Sequence, residues 1–274
     1  MGRQYLSYVL LAAIFPTPSL LAQIHHFDQT RSTEQVEVSS PAVRRAEAPP
    51  PDAAPTDLEG RGDTLRAEKS YLDALDYYHA ALAKKPSAAL YNKIGINELQ
   101  MGRFSDARKD FERAIKSDRQ LADAHNNLGV IFYLQKKYGA AIKRYEEAIK
   151  LREDSASFYS NLGAAYFSRK DYVKASVSYN RALQLDPEIF ERTSHSGVLA
   201  QMSSPGDRAH FYYVLARLYA QSGITDRSLQ CLRRAMEEGY KGINDVYKDA
   251  EFAGLRKDPR FTELMAARPL GIPE

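Results

Sequence analysis

The sequence predicts an all-α fold made of helix pairs that repeat along the chain. Two stretches show the pattern most plainly: "HNNLGVIFYLQKKYGAAIKRYEEAIKL" from His125 and "YSNLGAAYFSRKDYVKASVSYNRALQL" from Tyr159. Each joins an apolar segment with a central Gly to a second segment with two well-spaced Ala residues. Small residues are needed where two helices cross closely, and apolar residues four apart lie on one helix face. Because one pair cannot bury that face alone, we expect neighbouring pairs to stack.

The small residue of each first helix gives the repeat its frame. It stands at Gly62, Gly95, Gly129, Gly163 and Ala216. The first three intervals are 33, 34 and 34 residues, whereas the last is 53. Two small residues in each second helix keep step, at Ala74, Ala107, Ala141, Ala175 and Ser228 and at Ala81, Ala114, Ala148, Ala182 and Ala235. About five units therefore share one sequence frame, and the fifth arrives 19 residues late.

Short motifs recur inside this frame. "NLG" occurs at 127–129 and 161–163, "YxxAxxxYxxA" begins at Tyr138 and Tyr172, and "LDP" closes the fourth unit at Leu185. With their spacing, these motifs make the chain from Pro55 to Gly239 resemble the tetratricopeptide repeat, and its ending resembles that of exported bacterial repeat proteins. The resemblance implies an α-solenoid, a right-handed superhelix of about five helix-turn-helix repeats with a C-terminal helical cap.

The first residues have the pattern of a secretory signal. Arg3 precedes an apolar run from Tyr5 to Phe15, and Ala22 supplies a small residue for cleavage. The alternative is an uncleaved N-terminal anchor, although the 11-residue run is short of the ~20 residues that span a membrane. We expect an exported protein, periplasmic or secreted, with no membrane span once the signal is removed.

The rest of the chain divides by composition and by the repeat frame. We expect a signal peptide at 1–22, a disordered Pro/Ala-rich linker at 23–54, repeats 1–4 at 55–187, an inserted segment at 188–206, repeat 5 at 207–242 and capping helices at 243–274. The insertion carries Val198, Leu199 and Met202. These residues either fill the gap between the fourth and fifth units or form a flap over a binding groove.

Composition and missing motifs exclude several classes of function. The 38 basic and 35 acidic residues nearly balance, without a Lys/Arg-rich run, so we expect no nucleic-acid partner. Cys231 is the only cysteine, which excludes an intramolecular disulfide and is interpreted as a buried, inert thiol. The sequence holds no phosphate-binding loop, metal-ligand cluster or nucleophile elbow. We therefore expect no catalytic residue, no cofactor and no metal.

The family's ligand groove is formed by first helices, and the resemblance implies its lining from positions counted from each small residue. The candidate partner-binding residues are Asn92, Ile96, Asp123, Asn126, Asn127, Val130, Tyr133, Ser160, Asn161, Phe167, His210, Tyr213 and Arg217. Amides on this face can hydrogen-bond an extended peptide, and the aromatic side chains can pack on apolar ones. The sequence thus predicts a non-enzymatic adaptor for a protein or peptide. The alternative is a self-associating subunit of a cell-envelope complex.

Overall fold

A computed structural model describes residues 48–193 and 205–267 of the chain. These residues form two units, at 48–86 and 87–267, and are helical without a β-strand. The first unit contains α1 (Pro55–Ala67) and α2 (Tyr71–Lys84). The second contains α3 (Ala88–Gln100), α4 (Phe104–Ser117), α5 (Ala122–Leu134), α6 (Tyr138–Leu151), α7 (Ala156–Ser168), α8 (Tyr172–Leu185), α9 (Ile189–Thr193), α10 (Pro205–Gln221), α11 (Thr225–Glu237) and α12 (Pro259–Ala267). The predicted all-α repeat fold is confirmed.

Each of the first four helix pairs closes on a glycine that faces an aromatic ring. The ring stands 16 residues after the glycine, in the pairs Gly62–Tyr78, Gly95–Phe111, Gly129–Tyr145 and Gly163–Tyr179. A methyl group built on any of these glycines would lie 2.5 to 2.7 Å from a ring carbon, which is well inside van der Waals contact. The four rings are almost fully buried. The small residue is therefore required by the ring of its own pair.

The fifth pair solves the same packing problem with different residues. Sixteen positions after Ala216 stands Leu232, and both are buried in one cluster of α10 and α11. Ser228 Oγ donates a hydrogen bond to the Ala216 carbonyl oxygen at 2.8 Å, which holds the two helices together. Because Leu232 is narrower than an aromatic ring, the first helix can carry the extra methyl group of alanine.

The second to fourth pairs stack in register. Asn126 bonds Asn161, and Tyr133 bonds Ser168, so that residues 35 positions apart meet on neighbouring first helices. The same spacing at both places means that α5 and α7 lie parallel. Their side chains contribute to one continuous apolar core that runs from Ile96 to Tyr219.

The fifth pair joins this stack out of register. In the regular stack, residues 35 positions apart meet. With the 19 extra residues added, this spacing would place Gln221 against Phe167, but Gln221 is exposed. Phe167 instead contacts His210, with ring centroids 5.5 Å apart. The His210 and Tyr172 ring centroids lie 4.1 Å apart, and Tyr172 is the first residue of α8. The start of α10 therefore lies beside the start of α8, whereas consecutive helices joined by short turns run antiparallel.

A contact at the other end of α8 confirms the direction of α10. α9 follows the end of α8, and its Glu191 forms an ion pair with Arg227 in the first turn of α11. The end of α10 thus lies where α8 ends, and the two helices run in the same direction. The expectation of one frame through all five units holds within each pair, but it does not hold for the stacking of the fifth pair on the fourth.

The C-terminal segment continues the stack beyond the fifth pair. It contains 3-10 helices at Ile243–Tyr247, Ala250–Ala253 and Leu255–Lys257, followed by α12. Tyr213 donates a hydrogen bond to Asp249, and Arg217 pairs with Glu251. These separations of 36 and 34 residues resemble the repeat spacing, so the segment occupies the place of a sixth first helix. The predicted cap is present, although it is built largely from 3-10 helices.

Several expectations concern residues outside the described part of the chain. They include the signal peptide, most of the linker, and the inserted side chains Val198, Leu199 and Met202. The proposed domain bounds also remain predictions. Within the described ranges, none of the helices combines the length and apolar character that a membrane crossing requires.

Candidate functional site

Four asparagines on three successive first helices form one hydrogen-bonded chain, here called the amide chain. Asn161 Nδ2 donates to Asn126 Oδ1 at 2.9 Å, and Asn126 Nδ2 donates to Asn127 Oδ1 at 3.2 Å. Asn127 Nδ2 then donates to Asn92 Oδ1 at 3.0 Å. The chain crosses from α7 through α5 to α3, so it joins the fourth, third and second pairs.

The amide chain is structural as well as polar. Asn92, Asn126 and Asn127 are 7%, 4% and 1% exposed, and Asn161 is half-buried. Buried amides must be hydrogen-bonded, and these satisfy one another. The sequence predicted amides that face a ligand, whereas in this structure they bond one another, twice between neighbouring repeats and once within α5. Asn161, at the end of the chain, has the most accessible amide.

The beginnings of α5 and α7 form an open polar rim beside the amide chain. Asp123 accepts two hydrogen bonds from the Arg152 guanidinium, one of them at 3.0 Å from Nη1. The Arg152 guanidinium also lies over the Phe158 ring, 4.7 Å from its centroid. Ser157 is half-buried, with its hydroxyl 3.0 Å from that of Ser155. This rim offers hydroxyl, carboxylate and amide groups at the surface.

The apolar positions of the candidate groove are closed. Ile96 and Val130 are buried in the main core, and Ser160 is buried nearby. The Tyr133 hydroxyl lies 2.9 Å from Ser168 Oγ, and its ring packs on Tyr138. These side chains stabilise the stack and have little surface left for a partner.

The first turns of α10 cover the groove where α5 and α7 end. His210 and Phe211 pack on the Phe167 ring, which is 3% exposed. Burial raises the pKa of Tyr133 to about 12, and the Asp207 carboxylate adds to the rise. Burial also lowers the pKa of His210, opposed by Asp207. The chain's own helix thus occupies the end of the groove that holds Tyr133 and Phe167.

The cap covers the remaining candidates. Tyr213 stacks on Tyr240, with ring centroids 4.4 Å apart, and its hydroxyl donates to Asp249. Arg217 is paired with Asp249 and Glu251. His210 is brought close to Tyr240 but is remote in the stacking order from the amide chain. The structure therefore separates the thirteen candidates. Four belong to the amide chain, Asp123 lies on the rim, Ile96, Val130 and Ser160 are buried, and the other five lie beneath or within α10 and the cap.

One polar pair was missed from the sequence. Glu98, three residues after Gly95, is 8% exposed and lies beside the buried Asp110. Burial, reinforced by Asp110, raises the pKa of Glu98 to about 7. The equivalent positions hold Phe132 and Tyr166, so an acid in an aromatic position was the pattern that could have revealed it.

The described residues give little support for a catalytic or metal-binding site. Burial raises the pKa of the Cys231 thiol to about 12, so the thiol stays protonated at neutral pH and is a poor nucleophile. Within the described ranges, no group of three or more His, Cys, Asp and Glu side chains could hold a metal ion. Nothing in this arrangement points to catalysis.

Family models match the middle of the chain. A TPR repeat model matches residues 131–168, and tetratricopeptide repeat models match residues 92–143 and 156–189. A search of the curated proteins gives no match.

Solved structures of low sequence identity resemble the fold. A crystal structure of MamA is 22% identical, with 65% of this chain and 93% of that chain covered and a TM-score of 0.46. The first TPR of Spaghetti (RPAP3), bound to an HSP90 peptide, is 24% identical, with 40% and 86% covered and a TM-score of 0.38. The Cut9–Hcn1 heterotetramer of APC/C is 19% identical over 71% of this chain and 35% of that chain, with a TM-score of 0.50. The chain therefore contains tetratricopeptide repeats between residues 92 and 189, within an all-α stack of helix pairs.

Proposed function

We propose that the chain is a non-enzymatic scaffold that binds a protein or peptide along the first helices of repeats 2 to 4. The amide chain is the observation that supports this proposal. It fixes α3, α5 and α7 relative to one another before any partner arrives. Affinity is gained when a binding surface is ordered in advance, because less conformational entropy is lost on association.

The open rim defines where the partner would lie. Asp123, Ser157 and Asn161 are half-buried, whereas Tyr133 and Phe167 are buried and Phe167 packs against α10. An extended peptide lying across the beginnings of α5 and α7 would meet hydrogen-bonding groups with little apolar surface. We therefore expect recognition of backbone and polar side chains, at moderate affinity, rather than of a large apolar anchor.

A photo-crosslinking amino acid at position 157 tests this location. Position 105 is the control, because Ser105 is exposed near the start of α4. We expect position 157 to capture a partner that position 105 does not, with the partner identified by mass spectrometry. Binding of the purified partner should then be weakened by Ser157→Arg and unchanged by Ser105→Arg. The same proteins captured at both positions, or equal binding by both variants, would contradict the proposal.

The scaffold is further proposed to act outside the cytoplasm. The support is Arg3, the apolar run that follows and Ala22. N-terminal sequencing of protein made in a secretory host should give Gln23 as the first residue. An intact Met1 on membrane-bound protein would favour the uncleaved anchor instead.

Self-association in an envelope complex is the second candidate. Val173 and Val177 lie one turn apart on α8 and are 77% and 68% exposed. Adjacent exposed aliphatic residues are a common feature of interaction surfaces. Light scattering of the purified protein should show a concentration-dependent increase in mass that Val173→Ser/Val177→Ser abolishes. A monomer at all concentrations would exclude this candidate.

A further inference from the structure

The third repeat has an open depression on a face that the groove does not use. Its volume is about 550 Å³. The lining residues, here called the basic trough, are Ile115, Arg119, His125, Phe132, Ala140, Lys143, Arg144 and Glu147. They come from the end of α4 and the turn after it, from α5 and from α6, so the trough is formed between helix pairs rather than by one helix.

The trough and the groove lie on different faces of α5. His125 and Phe132 stand four residues before and three after Gly129. At about 100° per residue, both point about 100° around the helix from Asn126 and Tyr133, which mark the groove. A partner in one site would leave the other accessible.

The charges of the trough are unbalanced. Arg119, Lys143 and Arg144 form no ion pair with any described residue. Glu147 is the acidic lining residue, and it lies 3.5 Å from Lys150. His125 Nε2 lies 3.0 Å from the Arg119 carbonyl oxygen, which fixes the backbone at the edge of the trough. The lining therefore carries three cations against one carboxylate, and that carboxylate is paired with Lys150.

The floor of the trough is apolar. Ile115, Phe132 and Ala140 contribute to it, and the Arg108 guanidinium covers the Phe132 ring at 5.4 Å from its centroid. We propose that the basic trough docks a short acidic peptide segment of a partner protein, with an aliphatic side chain on this floor and a carboxylate against Lys143 and Arg144. Charge complementarity and an apolar floor together select such a segment over a purely acidic one.

The neighbouring repeats limit the size of the ligand. In the second repeat, the positions of Phe132, Ala140 and Arg144 hold Glu98, Asp106 and Asp110. In the fourth repeat, Lys174 takes the place of Ala140 and lies 3.5 Å from Asp171. Nucleic acids and anionic membranes bind through a run of cations along a surface. Because the second repeat carries acidic residues at these positions, the cations of the trough do not continue toward it, and a short peptide fits the trough better than either polyanion.

A selection from displayed random peptides tests the proposal while the natural partner is still unidentified. The wild-type protein should enrich sequences in which Asp or Glu stands beside Leu, Ile, Val or Phe, and Lys143→Glu/Arg144→Glu should not. Fluorescence anisotropy of the most enriched synthetic peptide should then show affinity weakened by about 10- to 100-fold in that variant. The matched control, Lys174→Glu/Arg181→Glu in the fourth repeat, makes the same change of charge and should leave the affinity unchanged.

Several results would overturn the proposal. They are a selection without acidic peptides, equal binding of the peptide with Asn and Gln in place of Asp and Glu, and an equal loss in the control variant. A short DNA duplex or an anionic vesicle that binds with the same dependence on Lys143 and Arg144 would do so as well. Circular dichroism melts check that both variants stay folded. Crosslinking at position 157 should be unaffected by Lys143→Glu/Arg144→Glu. The proposal for the trough and the proposal for the groove are therefore tested independently.

Discussion

Two regions of the molecule, the second to fourth repeats and the fifth repeat with its cap, both contain antiparallel helix pairs. Different contacts stack the pairs in each region. In the former, hydrogen bonds join residues 35 positions apart on parallel first helices. In the latter, α10 enters beside the start of α8, and aromatic rings of both helices pack together. The packing within a pair is therefore local and robust, whereas the stacking between pairs depends on how the chain connects them.

This difference has a consequence for function. The regular stack leaves a polar rim open at the beginnings of α5 and α7. The irregular one places Asp207 and His210 over the ends of the same helices. Open and covered surfaces thus lie at opposite ends of the first helices. Substitutions at contacts within a pair and at contacts between pairs should change the free energy of unfolding by different amounts.

The largest effect is expected from Gly129→Ala, which tests the packing within a pair. The new methyl group would lie 2.6 Å from the Tyr145 ring. Overpacking should lower the free energy of unfolding by about 3 kcal/mol, measured by urea denaturation. Gly139→Ala is the control, because nothing lies within 4 Å of its methyl group and alanine favours the helix. If both variants are equally stable, the glycine–ring contact does not determine the pair.

A double variant sharpens the same comparison. Gly129→Ala/Tyr145→Leu reproduces the Ala216 and Leu232 combination of the fifth pair. We expect it to be more stable than the sum of the two single changes predicts, since the smaller Leu makes room for the methyl group. Additive effects would mean that the fifth pair relies on another contact, such as the hydrogen bond from Ser228.

The sequence predicted what repeats and missed what connects the repeats. Gly62, Gly95, Gly129 and Gly163 were recognisable because they recur every 33 or 34 residues, and the structure gives the reason, since each contacts a ring of its own pair. The direction of α10 was not predictable, because it is set by contacts of Tyr172 and Glu191 that have no counterpart in the earlier pairs. The candidate amides lie on successive first helices, as the repeat frame predicts, and their role in binding stays a prediction. Their bonds to one another depend on distances between repeats that a single sequence does not contain.

Asn127→Ala tests the stacking of the regular pairs and should have the second largest effect. Asn127 bonds both Asn92 and Asn126, and its loss would leave two buried amides without this partner. We expect a loss of about 2 kcal/mol in the free energy of unfolding, measured by denaturation. Asn180→Ala is the control, because Asn180 is half-buried on α8, and it should change the free energy of unfolding little. A neutral Asn127→Ala would show that the amide chain is not needed for the stack.

Glu98→Gln tests the acidic pair of the second repeat. The pKa of Glu98 is raised from 4.5 to about 7 in the folded protein, chiefly by burial and then by Asp110. The folded state thus binds its proton more tightly, and this stabilisation is present below pH 4.5 and lost as the pH rises through 7. Between pH 5 and 8 the wild type should lose on the order of 1–2 kcal/mol relative to Glu98→Gln. Parallel stability curves for the two proteins in pH-dependent melts would contradict this assignment.

The smallest effect concerns the turns between paired helices. Lys69, Lys136 and Lys170 have φ values of 61°, 58° and 63°, whereas the equivalent turns of the second and fifth pairs use Gly102 and Gly223. A side chain in this left-handed conformation costs about 1 kcal/mol, which glycine avoids. We expect Lys136→Gly to raise the free energy of unfolding by somewhat less than that amount, because glycine also gains freedom in the unfolded chain. Gly102→Lys should have the opposite sign in the same urea titrations. If the two changes shift the midpoint in the same direction, local backbone strain does not distinguish these turns, and the lysines are retained for contacts made by their side chains.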